Sequence, residues 1–498
     1  MSKFCGYLLL VLTGFASTIQ AQDYSEIFFR HFANLVKQGT DTYGKHNTPV
    51  WMSSLDPVTL TYPQDPTRPN EIPSRVYLNR SVDAPFGASL YWDFPNIAAA
   101  LTLDDIKGKR SFREPAVDYI RFFLDQCTAT NGTFLYGNHY YYQAFEDQCV
   151  RFQSRELPVA VDFNIEQGEL HEIRPFAPPW SLLWEIDSVA TLKNLKTIVA
   201  NHMADLETGE FNRHADGARG YAFIEQGGIL VYSLAFLFQK TGNNAYLQQA
   251  QSIIDYSYRH RDPDTDLMAN CPTQDRWDRH TSTTEVGHWA GYILKASEMV
   301  TPPYSDNWRS IIDQVIAKWL TYGFDETTGQ FYGGLDLDTA DPYKPAQAYP
   351  YQPGLYADIW NPLFPTHDYP MQMAETCLAL YRLTGKAVYH QACKQWWLHI
   401  EKQVKNRDAN QLLYAESYAR IIHFLLEYQL AFKFDPARKM AQRLAREAID
   451  QFYLEDSGML RSHTGENRYD TVDGVGLLTL SLLRLQTGTI GLFNHYFF

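Results

Sequence analysis

Three short stretches carry side chains that could do chemistry together. Gly137-Asn138-His139, the run from Gly168 to Arg174 that contains His171 and Glu172, and Asn212-Arg213-His214 each bring an imidazole or a carboxylate into a loop-like setting. Two neutral imidazoles and a carboxylate from separate loops would make an open metal site, with positions left for water or substrate. His139, Glu172 and His214 are the candidate ligands. No HExxH pattern or CxxC pair reinforces them, and a lone loop histidine is more often a surface or hydrogen-bonding group. His171 and Arg174 flank Glu172 and could contact an anionic substrate.

A second set lies further along. Arg276, Arg279, His280 and Glu285 cluster around Trp277 and could bind a substrate subsite; a polar helix start is the plainer alternative. Tyr356, Asp358, Trp360 and His367 fall in a Pro-rich aromatic segment that could form a platform for a sugar ring, with loop packing as the competing explanation. Asp336, Asp338 and Asp341 have an EF-hand-like spacing but lack its glycine and distal glutamate, so they read as solvated acids.

The elements that must position these groups read as helices. Apolar residues recur with helical period over Ile229 to Lys240, Tyr246 to Tyr258, Met371 to Leu383, Ser417 to Phe432 and Arg438 to Phe452. Three helical stretches end in Thr-Gly, at Thr241-Gly242, Thr384-Gly385 and Thr487-Gly488, where glycine can close the last turn. A second phrase recurs where a helix gives way to a short hairpin: Thr130-Asn-Gly132-Thr-Phe134, Glu207-Thr-Gly209-Glu-Phe211, Thr327-Thr-Gly329-Gln-Phe331 and Asp456-Ser-Gly458-Met-Leu460. Each is a polar turn followed by a bulky residue that can bury. Helix pairs that recur with such junctions need neighbours on both sides to cover their faces. The expectation is an all-α toroid of six or seven helical hairpins, with short β-hairpin loops on one face. A two-domain bundle or an open solenoid is the alternative. Residues 22–95 are expected to form an N-terminal arm and first helix, and 96–498 the barrel.

Met1-Ser-Lys3, the apolar run from Tyr7 to Phe15 and the small residues up to Ala21 have the pattern of a signal peptide over 1–21. The expected location is the periplasm or the medium. No later run of about 18 apolar residues suggests a membrane span. Five cysteines follow the leader; Cys127 and Cys149 could pair, but the odd count leaves a free thiol. The net charge of −14 argues against a nucleic-acid partner, yet a polyanion could still be held by a local cluster of arginine, histidine and metal. Fifteen per cent aromatic residues suit sugar stacking as well as a packed core.

Asp41-Thr-Tyr-Gly44, His139 in its Gly-Asn-His setting, the His171-Glu172 pair and above all Phe211-Asn-Arg213-His214 resemble the pectate lyases of polysaccharide lyase family two and related secreted bacterial proteins. The wider resemblance runs from about residue 40 to the C-terminal helices and takes in His280 to Gly287 and Asp358-Ile-Trp360. It implies an α/α barrel, a divalent transition metal (often manganese) on His139, Glu172 and His214, and Arg213 as the base. The implied substrate is an acidic polysaccharide or oligosaccharide, cleaved by β-elimination. Arginine normally keeps its proton, so Arg213 acting as a carboxylate clamp remains an equal alternative. In that case His171 or Tyr140 could take the proton. A hydrolase of unsaturated uronides would instead need two carboxylates, for which Asp358, Glu285 and Asp473 are available. A metal-free sugar epimerase and a non-catalytic glycan-binding protein complete the alternatives.

Overall fold

The computed structural model describes residues 23–63, 84, 86–137, 140–151, 159–161, 171–173, 176–272, 280–344, 354–360 and 370–489. The helices in chain order are α1 (Tyr24–Gly39), α2 (Leu90–Lys107), α3 (Arg113–Gln126), α4 (Trp180–Ile186), α5 (Ser188–His202), α6 (Ile224–Thr241) and α7 (Ala245–Arg259). They continue with α8 (Thr283–Glu298), α9 (Tyr304–Tyr322), α10 (Met371–Thr384), α11 (Ala387–Lys405), α12 (Ala415–Phe432), α13 (Asp435–Phe452) and α14 (Val475–Thr487).

Even-numbered helices form an inner layer and odd-numbered ones an outer layer. The two layers differ as their surroundings require: α6 is buried without a break from Ile224 to Leu237, and α12 from Ala415 to Tyr428. Outer α13 instead buries a stripe that includes Ala437, Ala441, Leu444, Ala448 and Phe452. A helix covered on every side tolerates apolar residues all round, whereas one facing water buries a single face. Inner neighbours pack in the order α6, α8, α10, α12, α14, α2, and the segment that opens α4 touches the last and the first, Phe176 lying 5.9 Å from the Tyr91 ring of α2 and Trp180 donating to Ser233 of α6 at 3.0 Å. The expected toroid of helical hairpins is the observed architecture, with seven outer–inner pairs among the described residues.

Inner helices meet closely where glycine faces backbone. A Cβ on Gly287 would lie 2.4 Å from the Met373 nitrogen, and one on Gly476 2.4 Å from the carbonyl carbon of Pro95. Backbone cannot swing aside as a side chain can, so Gly287→Ala should force α8 and α10 apart. We expect a loss of about 3 kcal/mol in a denaturant titration; a loss under about 1 kcal/mol would mean that the two helices separate freely.

The repeated hairpin phrase performs the same structural task four times. Phe134, Phe211, Phe331 and Leu460 are all 0% exposed. Each turn also receives a donor from the next outer helix: Lys193 to the Thr130 carbonyl at 3.0 Å, Arg259 to Thr208 at 2.8 Å, Lys402 to Thr328 at 2.7 Å, and Asn34 to Ser457 at 2.8 Å. In the last case the receiving helix is α1, so the first helix of the chain takes the place that follows α13 and closes the ring. Ser54–Leu55 pairs antiparallel with Tyr469–Asp470 and ties the arm to the C-terminal part. Within the expected arm, α1 is therefore part of the ring, and the 95/96 boundary falls inside α2, whose helix runs through Pro95.

All the described strands precede inner helices and so gather at one end of the ring. At the opposite end Gly242, Gly385 and Gly488 close their helices in the left-handed conformation, as their Thr-Gly phrases suggest. Asp336 accepts from the Asp338 and Thr339 amides and is a turn-former. Among the described residues the five cysteines are unbridged and buried, including Cys127 and Cys149, and no helix is long and apolar enough to cross a membrane. The leader, residues 1–21, lies outside the described residues.

Candidate functional site

The hairpin Met203–Asp205 with Glu210–Phe211 delivers the Asn212-Arg213-His214 segment to the strand-bearing end of the ring. Phe211 anchors it, its ring packed so tightly on Gly227 that a Cβ there would meet it at 2.7 Å. Asn212 then holds the turn: its Oδ1 accepts from the His214 amide at 3.0 Å, while its Nδ2 donates to Asp216 Oδ1 at 2.6 Å and to the Ala218 carbonyl at 2.9 Å.

Residues 171–173 lie between two other segments. His171 bridges Tyr136 in parallel, and Glu172 bridges His214 in antiparallel fashion. The Ile173 amide donates to the Arg213 carbonyl and the Ala215 amide to the His171 carbonyl, both at 3.1 Å. Gly137 closes the other side with φ +122°, and a Cβ there would collide with the Glu172 Cβ at 2.7 Å. Both the dihedral and the contact require glycine.

This pairing brings Glu172, Arg213 and His214 together. Arg213 Nε lies 3.1 Å from His214 Nε2 and 3.5 Å from Glu172 Oε1. An arginine nitrogen can only donate, so His214 Nε2 presents its lone pair to Arg213 Nε, towards which the Glu172 carboxylate also points. Glu172 is 0% exposed at its side chain and Arg213 24%, which leaves the guanidinium as the charged group that reaches solvent. The Arg213 head also lies 5.0 Å from the Phe223 ring centroid. Asn212, Arg213, His214, Asp216, Ala218, Tyr221 and Phe223 line a cavity of about 340 Å³.

The donor set fits a divalent cation: a buried carboxylate and an imidazole lone pair converge on one point, which a positive guanidinium N–H now faces. His139, the third expected ligand, lies outside the described residues, as do Arg174, Arg276, Trp277, Arg279 and His367.

The structure places other expected contact residues differently. His171 is 0% exposed, stacks on Tyr136 at 5.2 Å and shares a 2.8 Å hydrogen bond between its Nδ1 and His202 Nε2. Burial holds its pKa well below the imidazole range, so it is a neutral core group, set there because neighbouring strand residues face opposite ways. Trp360 is 2% exposed, with its Nε1 3.3 Å from the Gln403 carbonyl, and is packing rather than platform. His280 is 3% exposed and stacked on Tyr343 at 4.4 Å. Tyr356 is half-buried and donates to Asp325 at 2.7 Å, and Asp358 is exposed and accepts from the Trp360 amide. Tyr140, the other alternative proton acceptor, is 3% exposed.

Two features were not singled out from the sequence. One is His202, which links the two site segments and has no distinguishing spacing. The other is a set of acids at the starts of inner helices: Asp93, Glu225 and Glu416, with Glu375 a turn further in, join Glu285 and, just before α14, Asp473, two that the sequence offered to a hydrolase. His463, in the same register after Leu460 as His214 after Phe211, is buried with Asp470 and Asp473, their donor atoms within 4.8 Å of one another. His463 Nδ1 accepts from the Gly465 amide at 3.2 Å, so a neutral ring carries its proton on Nε2. That N–H suits a contact with carboxylates and not metal ligation.

The fold and this cluster together define a helical-toroid protein with a carboxylate, an imidazole and a guanidinium joined at the mouth where the inner helices begin. Residues 99–219 match the model of a family described as periplasmic pectate lyase, and His139, Glu172, Arg213 and His214 all fall within that stretch. Among solved structures the chain is similar to a family 76 α-mannanase of Bacteroides thetaiotaomicron, with 14% identity over 74% of this chain and 93% of that chain and a TM-score of 0.42. It is also similar to a D-mannose isomerase, with 9% identity over 94% and 97% and a TM-score of 0.45. A third is the unsaturated glucuronyl hydrolase of Bacillus sp. GL1, with 14% identity over 63% and 85% and a TM-score of 0.41.

Proposed function

We propose that this protein is an exported, divalent-metal-assisted lyase of a uronic-acid polysaccharide, with pectate or polygalacturonate favoured. The observation that carries this reading is the convergence of Glu172, His214 and Arg213 beside one cavity. The family match over 99–219 supports the substrate class, and with the N-terminal leader pattern it supports the periplasm or the medium as the place of action.

Glu172 and His214, with His139, would hold the metal. When bound, a divalent cation neutralises the uronate carboxylate and stabilises the negative charge that develops next to C5. Arg213 is the proton acceptor in this reading. It takes the C5 proton, the C5–H electron pair becomes the C4=C5 double bond, the C4–O bond breaks, and the leaving oxygen takes a proton from water. Pairing with Glu172 favours the protonated guanidinium, so release from that carboxylate and nearby positive charge are what would let Arg213 act as a base. Phe223 orients the guanidinium from one side, and Asn212 fixes the backbone that carries it.

The test is ultraviolet absorbance of the unsaturated product with polygalacturonate, alginate and glucuronan. We expect a signal with polygalacturonate that chelator removes and manganese restores. Hydrolysis of unsaturated uronides is the second reading, favoured by the helix-start carboxylates, of which all but Glu285 are buried. No rise in absorbance on any intact uronan, with loss of the absorbance of unsaturated oligouronides that chelator does not affect, would replace the lyase with that hydrolase.

A further inference from the structure

We infer that His202 is a positioning residue: it holds the strand carrying Glu172 in register with the strand carrying Arg213 and His214. The inference rests on the reading of those three residues as the reactive cluster.

His202 is the last residue of α5 and is 0% exposed. Its Nδ1 lies 2.7 Å from the Asn212 carbonyl oxygen and its Nε2 2.8 Å from His171 Nδ1. A carbonyl only accepts, so Nδ1 carries a proton. Burial pushes the His202 pKa down to about 4, so the ring is neutral near pH 7 and its Nε2 accepts the His171 Nδ1 proton. The direction of the whole chain is thereby set, from His171 through His202 to the backbone of Asn212. The His202 carbonyl also accepts from the Asn212 amide at 2.8 Å. One ring thus grips the residue directly before Glu172 and the residue directly before Arg213.

Among the described residues two backbone hydrogen bonds join the two strands, Ile173 N–H to Arg213 and Ala215 N–H to His171. Two such bonds are a weak restraint by themselves. The buried imidazole chain adds a lateral restraint to them. A displacement of about 1 Å at a reacting group can cost about 100-fold in rate, so a group that fixes this register acts on catalysis without touching substrate.

His202→Leu keeps the apolar bulk and removes both hydrogen bonds. His202→Gln places an amide oxygen near the former Nε2 and should restore the link to His171. His31 is the control: it is equally buried, and its Nδ1 accepts the Leu460 amide at 3.2 Å at the hairpin against α1, away from the cluster.

The direct readout is amide exchange. We expect at least about tenfold faster exchange at Ile173 and Ala215 in His202→Leu, a smaller increase in His202→Gln, and wild-type rates at both amides in His31→Leu. Manganese affinity and kcat should fall about 10- to 100-fold in His202→Leu, with KM within about twofold. Unchanged protection of Ile173 and Ala215 in folded His202→Leu overturns the inference, and so does equal loss of kcat in His31→Leu at equal loss of stability. If His202→Leu does not fold, His202→Gln carries the same comparison. Altered exchange in a protein whose wild type neither binds manganese nor cleaves any uronan would uphold the positioning role and reject the lyase.

Discussion

His214→Ala should abolish product absorbance on polygalacturonate, with a loss of kcat of at least about 10³-fold, and Glu172→Gln should do the same. Both changes remove a donor from the point on which the cluster converges, and electrostatic stabilisation of developing charge is the largest contribution such a site can make. The two variants should differ in stability. His214 is half-buried and sits in a segment held by Asn212, so its truncation should cost about 1 kcal/mol or less. Glu172 is fully buried 3.5 Å from Arg213, and its neutral replacement leaves that cation without its carboxylate. A larger loss of stability is therefore expected there. Manganese titration into the folded variants separates lost binding from lost folding. Retention of more than a tenth of wild-type kcat in His214→Ala, with the metal still bound, would remove His214 from the proposed ligand set.

Arg213 gives the second large effect and decides between base and clamp. Arg213→Ala should lower kcat by about 10³-fold, the scale of a lost general base. Arg213→Lys is the informative change. Lysine gives up its proton at a pKa about 2 to 3 units below that of arginine, so if residue 213 is the base the pH–rate profile should move to lower pH while part of kcat survives. A clamp predicts another pattern: lysine keeps the charge but loses the planar fork, so KM should rise with kcat nearly unchanged and the profile unmoved. His171 and Tyr140 are poor substitutes for the proton acceptor, since they are 0% and 3% exposed.

Much of the scaffold could be read along the chain because local rules set it. Helical periodicity located α6, α7, α10, α12 and α13 to within a few residues, except that α6 begins at Ile224 and not Ile229. Its early turn carries Gly227 and Gly228, which interrupt the apolar pattern and exist to let Phe211 and Trp289 approach. The four hairpin phrases gave their buried anchors for the same reason: turn chemistry and one bulky residue act within a few positions of each other.

What local rules could not give is which side of a short strand meets another chain segment. His171 and Glu172 are adjacent and equally suited to ligation, yet a pleated strand turns one into the core against Tyr136 and the other towards Arg213. Trp360 looked like a sugar platform and is core because α11 lies over it through Gln403. His202 had no signal at all, since its partners His171 and Asn212 come from separate parts of the chain. The ring closure through α1 was equally hidden, depending on Asn34 reaching Ser457, more than 400 residues away. Composition, helix starts and turns are set by neighbours in sequence; the cluster exists only because the toroid brings distant segments to one mouth.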